Sequence, residues 1–186
     1  ISRETFQDNR IIHKMKSVLV KQVLTLLQDM AKNEKEKYEN FWRQFGRILK
    51  EGVHFDFENK DTLAQLMRFN SSKCTGPNDL ISLKEYLDRM KPEQNEIYYI
   101  TAASRETIEK SPYLEIFRTK DVEVLYLTDP NDEFLLSGLH EFEKKPIRSA
   151  DQANLDLLKD ADKKIVDTTA EPQQYEEMFK HLMKTI

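Results

Sequence analysis

The period of the apolar residues changes once along this chain, and that change limits the folds open to it. From Phe6 through Ile12, Met15, Leu19, Val23, Leu26, Leu27 and Met30 the apolar residues step by three or four, the period of a helix with one apolar face. Ser2 is a suitable N-cap, so the spacing predicts one long helix over residues 2–31. A charged turn, Lys32-Asn33-Glu34-Lys35, leads to a second helix over about residues 34–51, with Tyr38, Phe41, Trp42, Phe45, Ile48 and Leu49 on one side. Gly52 stands where a C-terminal cap is expected. A third, short helix is expected from Asn59 to about Phe69.

Beyond this point the pattern is different. Asn70-Ser71-Ser72-Lys73-Cys74-Thr75-Gly76-Pro77-Asn78-Asp79 is a loop by its turn chemistry. Ser82-Leu83-Lys84-Glu85 is a capping box opening a helix to about Met90. Ile97-Tyr98-Tyr99-Ile100-Thr101 and Val122 to Leu127 are β-rich runs, and Pro146-Ile147-Arg148-Ser149 is a weak third strand. Between the first two lies a helical stretch capped by Ser104 and interrupted by Pro112. After the second, Asp129-Pro130 opens a helix with Phe134, Leu135, Leu139 and Phe142 on its apolar side. Strands separated by helical segments of this length imply parallel β-α-β crossovers. The expected fold class is therefore α/β (α+β overall): a long helix and helical connector, then a small three-layer α/β/α unit with a short, mainly parallel sheet. From Ala150 the chain turns polar and acidic, a linker or weak helix over 151–171, and helical spacing returns from Gln173 to Thr185.

Composition excludes several classes. One third of the residues are charged and the net charge is −4, with no basic stripe interleaved with aromatics, so nucleic acid is not an expected partner. No apolar run approaches the roughly 20 residues that span a bilayer, so no membrane is expected either. The single Cys74 excludes an internal disulfide framework and fits a reducing compartment. The four glycines form no phosphate-cradling series, so the chain shows no nucleotide site of its own.

The usual catalytic residue types have simpler readings. His13, His54, His140 and His181 are scattered without ligand spacing, and no metal site is expected. Cys74 reads as a plain exposed thiol rather than a nucleophile. Asp129, Asp132 and Glu133 crowd a strand-to-helix turn and resemble paired acids, but capping and the helix dipole account for them. Phe41, Trp42 and Phe45 suit either a protein-binding patch or, more simply, core packing, and the exposure of Trp42 decides between these. Tyr98, Tyr99 and Tyr126 are expected to be split between a buried and a solvated face, and the runs Lys32 to Lys37 and Lys144 to Arg148 to be solvated turns.

Arg3 and Gln7 stand four residues apart on the first helix and share a face beside its positive end. An arginine and an amide placed so suit a phosphate or carboxylate, although spacing alone fits an ordinary solvated turn as well. The run Ser2-Arg3-Glu4-Thr5-Phe6-Gln7-Asp8-Asn9-Arg10-Ile11 resembles the segment after the catalytic loop in the middle domain of the heat-shock protein 90 chaperones. The resemblance continues in order through Phe41-Trp42-Arg43-Gln44-Phe45-Gly46, Leu49-Lys50-Glu51-Gly52, Leu66-Met67-Arg68-Phe69-Asn70-Ser71-Ser72 and Ser82-Leu83-Lys84-Glu85-Tyr86. It extends through Lys110-Ser111-Pro112-Tyr113-Leu114 to Asp132-Glu133-Phe134 and Glu141-Phe142, and so covers roughly residues 1–150. The Phe-Trp-x-x-Phe-Gly and Leu-Lys-Glu-Gly pieces are most like the bacterial form.

The resemblance implies a middle-domain piece of an ATP-dependent chaperone. Residues 1–32 would be the last helix of a large middle-domain layer, 33–78 a helical connector, 79–150 a small α/β layer, and 151–186 a linker and the start of a C-terminal dimerisation domain. It further implies that Arg3, supported by Gln7, reaches the γ-phosphate of ATP held in a separate N-terminal domain. ATP and Mg would serve the full-length protein, with none expected on this piece, which alone would be inactive. The implied partners are the protein's own N-terminal ATPase domain, client proteins and a second copy in a homodimer. The implied setting is the cytoplasm, with an organelle as the alternative. The competing readings are a free-standing helical and α/β interaction module with no link to ATP, and a small hydrolase. The absence of a nucleophile elbow argues against the hydrolase.

Overall fold

The computed structural model describes residues 10–153. Arg3, Gln7 and His181 lie outside the described residues, as do the N-cap expected at Ser2 and the helix expected from Gln173. Residues 1–150 form one compact unit and 151–186 a second, and the elements below belong to the first.

Three helices come first: α1 (Arg10–Asn33), α2 (Lys35–Phe55) and α3 (Lys60–Leu66). The seam of α1 follows the expected stripe only at its end, where Leu27 is buried and Met30 packs against the core. Leu24 and Leu27 are buried, with Val20 and Ala31 packed beside them, whereas Met15, Leu19, Val23 and Leu26 are exposed. Contact with α2 and α3 is made along the last turns of α1, by the row Val20-Leu24-Leu27-Ala31 with Met30 beside it. Helix α2 buries Tyr38, Trp42, Gly46, Lys50 and Val53. Trp42 is thus a core residue, Phe41 is half-buried and Phe45 is exposed. Gly46 is required because the Trp42 ring covers it: an added Cβ would come within 2.8 Å of that ring. Gly52 does not end the helix. The chain continues one more turn because Val53 belongs to the buried row, and Gly52 O accepts the N–H of Asp56.

The second half contains β1 (Asn70–Ser71), α4 (Leu83–Asp88), β2 (Ile97–Thr101), α5 (Arg105–Glu109), α6 (Leu114–Thr119), β3 (Val124–Leu127), α7 (Asp132–Gly138), β4 (Glu141–Phe142) and β5 (Lys145–Ser149). The strand order is β1-β3-β2-β5-β4. β2 pairs in parallel with β3 and β5, and β1 and β4 are antiparallel edges. The parallel centre agrees with the sequence, but both edges depart from it. Asn70–Ser71, expected as loop, is an edge strand with Asn70 opposite Tyr126, held by hydrogen bonds that leave no apolar alternation to read. Phe142, expected on a helix, lies on β4, because α7 ends at Gly138 and a hairpin follows. Its turn residues Glu143 and Lys144 both have positive φ, 46° and 64°, the twist that a two-residue hairpin demands.

Both faces of the sheet are covered. Tyr98 packs on Phe117 of α6 with ring centroids 5.0 Å apart, while Leu125 and Leu127 join Leu83, Leu135 and Leu139 in the core on the other face. Tyr98 and Tyr126 are therefore both buried, not one in and one out. The predicted caps are present: Ser82 Oγ accepts from Glu85 N at 3.1 Å while Glu85 accepts from Ser82 N at 2.7 Å, and Ser104 Oγ accepts from Thr107 N at 3.2 Å.

Two buried polar groups fix how α4 meets the sheet. Glu123 accepts both arms of Arg89, at 3.0 and 2.8 Å, and the Ser71 hydroxyl at 2.5 Å. The Tyr86 hydroxyl donates to Glu123 O at 2.7 Å and accepts from Tyr98 N and from Gln94 Nε2. Burial pushes its pKa well above the usual phenol value. Tyr86→Phe leaves those buried backbone groups unpaired and should cost about 1–3 kcal/mol. A lowered urea midpoint at unchanged slope would show it, and an unchanged midpoint would contradict it.

Candidate functional site

The crossing of α2 and α7 concentrates the chemistry of the described residues. The helices come close because α7 presents Gly138, where a Cβ would lie 3.0 Å from Val53 O and from His54 Cα. One turn from this contact, Lys50 enters the seam, in line with Tyr38, Trp42 and Gly46 at four-residue steps. Its Nζ lies 2.6 Å from Asp132 Oδ1 and 3.6 Å from Asp129 Oδ2, and Arg47 Nε donates to the same Asp129 oxygen at 3.2 Å. Asp132 is 3% exposed, and Oδ1 forms no hydrogen bond to any other group among the described residues.

Capping is only part of what these aspartates do. Asp129 accepts from Asn131 N and Asp132 accepts from Asp129 N, both at 3.0 Å, as the turn chemistry predicts. The ion pairing to α2 was not assigned from sequence. A lysine in the i, i+4 row of buried residues was the available signal. Burial pushes the Asp132 carboxyl up, with Lys50 opposing it. Partial burial also acts against Asp129, but the Asn131 N–H and the Lys50 and Arg47 cations hold its carboxyl below the usual range. Glu133 is exposed and takes no part in the seam.

An aromatic rim stands beside the crossing. Phe55, Phe57 and Phe134 are 71%, 78% and 50% exposed, and the His54 ring lies 4.8 Å edge-on to Phe55 and 6.4 Å from Phe134. His54 Nδ1 is 2.9 Å from Ser137 Oγ. Ser137 donates its proton to Phe134 O at 2.7 Å, so the pair is a link between helices rather than an activated hydroxyl.

The other candidates are placed as follows. His13 and His140 are exposed, and no group of three or more His, Cys, Asp or Glu among the described residues is placed to hold a metal. Cys74, expected to be exposed, is buried: its Sγ is 3.4 Å from Ser71 Oγ, and Arg105 fastens its carbonyl at 2.8 Å. The Lys144 to Arg148 run is not a solvated turn but mostly β5, with Lys145 donating to Gln94 O and Arg148 paired with Glu96 at 3.4 Å. No helix among the described residues is long and apolar enough to cross a membrane.

Lys50→Met strands the buried Asp132 carboxylate and should destabilise the unit by about 3–5 kcal/mol, while Lys50→Met with Asp132→Leu should recover most of that. Chemical denaturation of the single and double variants measures this, and an additive loss would refute the coupling. Asp129 has a depressed folded pKa, so its stabilisation is present above the unfolded value of about 3.9 and is lost as pH falls through the folded one. Asp129→Asn should cost about 1–2 kcal/mol at neutral pH. The gap to the parent chain should close in acid, and a gap constant with pH would count against this assignment.

Comparison with known proteins accounts for the motifs. The chain matches the family described as Hsp90 protein over residues 1–186. It is 46% identical over 184 residues to Chaperone protein HtpG of Coxiella burnetii, covering 99% of this chain and 28% of that protein. It is 43% identical over 187 residues to the protein of the same name from Methylococcus capsulatus, covering 100% of the chain and 30% of the relative. For the Legionella pneumophila (strain Paris) protein the figures are 40% over 186 residues, 100% and 29%. The chain thus spans less than a third of the length of these relatives. With a match along its whole length and the ordered motifs from Ser2 to Phe142, the chain belongs to the Hsp90 family.

Proposed function

We propose that this chain is the middle portion of an ATP-dependent molecular chaperone that assists protein folding, and that it links nucleotide hydrolysis in a separate N-terminal domain to contact with client proteins. The whole-chain match to relatives named as chaperones carries this reading. Two surfaces agree with it. The exposed aliphatic stripe of α1 suits packing against a further layer, and the exposed Phe55, Phe57 and Phe134 suit transient contact with apolar segments of a client. The same reading makes the protein a homodimer of the bacterial cytoplasm.

In this scheme Arg3 supplies positive charge to the γ-phosphate of ATP, the substrate, and Gln7 steadies it. ATP and its Mg belong to the N-terminal domain. Apart from the contact of Arg3 with the γ-phosphate, the side chains of this portion would bind neither. Hydrolysis spreads negative charge over the transferring phosphoryl group, and a guanidinium brought from another domain stabilises that charge only when the domains dock. Closure and turnover are then coupled, because an open arrangement lacks the cation. A free-standing interaction module remains the competing reading, and it predicts no effect of Arg3 on any ATPase.

Arg3→Ala in the full-length protein should lower ATP turnover by roughly 10³-fold or more while ATP affinity, measured by calorimetry, changes little. Normal turnover in that variant would remove Arg3 from the site, and failure of a separately produced N-terminal domain to respond to this portion would favour the plain module.

A further inference from the structure

A second concave surface lies away from the α2–α7 crossing. It is a cleft of about 440 Å³ between the end of α1, the residues following α3, the start of α4 and the β4–β5 turn, lined by Lys32, Arg68, Lys84, Leu66, Phe142 and Glu143 among others. Lys84 is committed to Glu143 at 3.2 Å and Asp88 at 3.5 Å. Arg68 is different. It is half-buried, its guanidinium carbon lies 4.6 Å from the centre of the Tyr38 ring, and Nη1 donates to Gln65 O and Met67 O at 3.2 and 2.8 Å. No carboxylate among the described residues lies within 4.0 Å of it, and its Nε and Nη2 hydrogens meet no acceptor there.

A guanidinium drawn partly out of water against an aromatic ring, in the wall of a cleft and with Nε and Nη2 meeting no acceptor among the described residues, is suited to a planar oxyanion that takes two parallel hydrogen bonds. We propose that this cleft binds the carboxylate of an acidic peptide segment, with Arg68 as the bidentate partner and Lys32 as the flanking cation. A carboxylate fits better than a phosphate dianion because Glu143 at the wall and Glu85 and Glu39 near Arg68 add negative potential that grows costly with the charge on the one group set against the guanidinium. The volume holds several side-chain groups rather than a lone ion, and Phe142 and Leu66 provide apolar surface for their methylenes. Partial desolvation lowers the pKa of Arg68, with the Tyr38 hydroxyl and Glu85 opposing, but leaves it cationic at neutral pH. The inference goes beyond the ATP reading and does not depend on it.

The test is an NMR titration of the 186-residue chain with capped tetraglutamate, beside capped tetraglutamine, sodium acetate and inorganic phosphate. Tetraglutamate should give saturable shifts at the Arg68 side chain and at residues 28–32, tetraglutamine none. Binding should weaken about tenfold in Arg68→Gln, and a bidentate role predicts that Arg68→Lys restores little of it. Because Arg68→Gln also loses the stack on Tyr38, Lys32→Gln, at the exposed end of α1, is the second variant and should weaken binding severalfold with the fold intact. Shifts that fail to saturate, equal binding by tetraglutamine, indifference to both variants, or phosphate binding more tightly than tetraglutamate would each overturn the proposal.

Discussion

Lys50 reaches Asp132 across the seam between α2 and α7, and the position of the whole α/β layer against the helical half follows from that contact. A buried ion pair is a poor source of net stability, since desolvating both charges costs about as much as their attraction returns. What it does well is exclude alternatives. An apolar residue at position 50 would tolerate sliding of α7 by a turn, whereas an ammonium 2.6 Å from a carboxylate does not. Gly138 adds a steric term of the same kind, because a Cβ there would stand 3.0 Å from the backbone of α2, so the helices would have to move apart to admit one. Register is set by charge and by the absence of a methyl group, and the exposed aromatic rim is carried on the result.

The seating of α4 on the sheet is ordered by a comparable device. Glu123 is buried beneath Arg89 and Ser71, and Tyr86 joins β2 to the residue before β3. These contacts attach the edge strand β1 to the sheet through side chains as much as through its ladder. Arg105 completes the arrangement by holding the Cys74 carbonyl, so the loop after β1 is tied down at several points. Cys74 is consequently enclosed, and its surroundings are those of a packing residue.

What was legible in the sequence was local. The capping box at Ser82, the N-cap at Ser104, the interruption at Pro112 and the strands at Ile97 and Val124 depend on residues within a few positions of each other, and they appear where expected. The errors are tertiary. Of the α1 stripe Leu27 and Met30 meet the core while Met15, Leu19, Val23 and Leu26 do not, because its exposed residues are as apolar as its buried ones and composition along a helix does not say which row meets a neighbour. Gly52 looked like a stop because a glycine after an amphipathic run usually is one, yet burial of Val53 outweighed that preference. Strand β1 was invisible because two polar residues in a short edge ladder carry no period. The ion pair of Lys50 had a signal, a charge in a row of core positions, but no partner could be assigned without the fold. The pair Arg3 and Gln7 was read from motif alone, and its geometry lies outside the described residues.

The two exposed apolar surfaces differ in kind, and the difference bears on the proposed cycle. The α1 stripe is aliphatic and repeats at helical spacing through Met15, Leu19, Val23 and Leu26, so it offers continuous ridges that another rigid layer can interlock with. Phe55 and Phe134 are separate rings beside the polar imidazole of His54, and Phe57 is a further exposed ring. Rings spaced in this way offer area without a fixed register, and they accept many sequences at modest affinity. In the proposed cycle a lasting joint needs the first type, because a domain carrying Arg3 to a nucleotide would have to transmit motion without slipping. Client contact needs the second, because a partner that must be released cannot be held by interlocking ridges. If both surfaces serve one protein, hydrolysis can reposition the rim only through a body stiff enough to move with α1, and the buried Lys50–Asp132 contact is what joins α7 to that body.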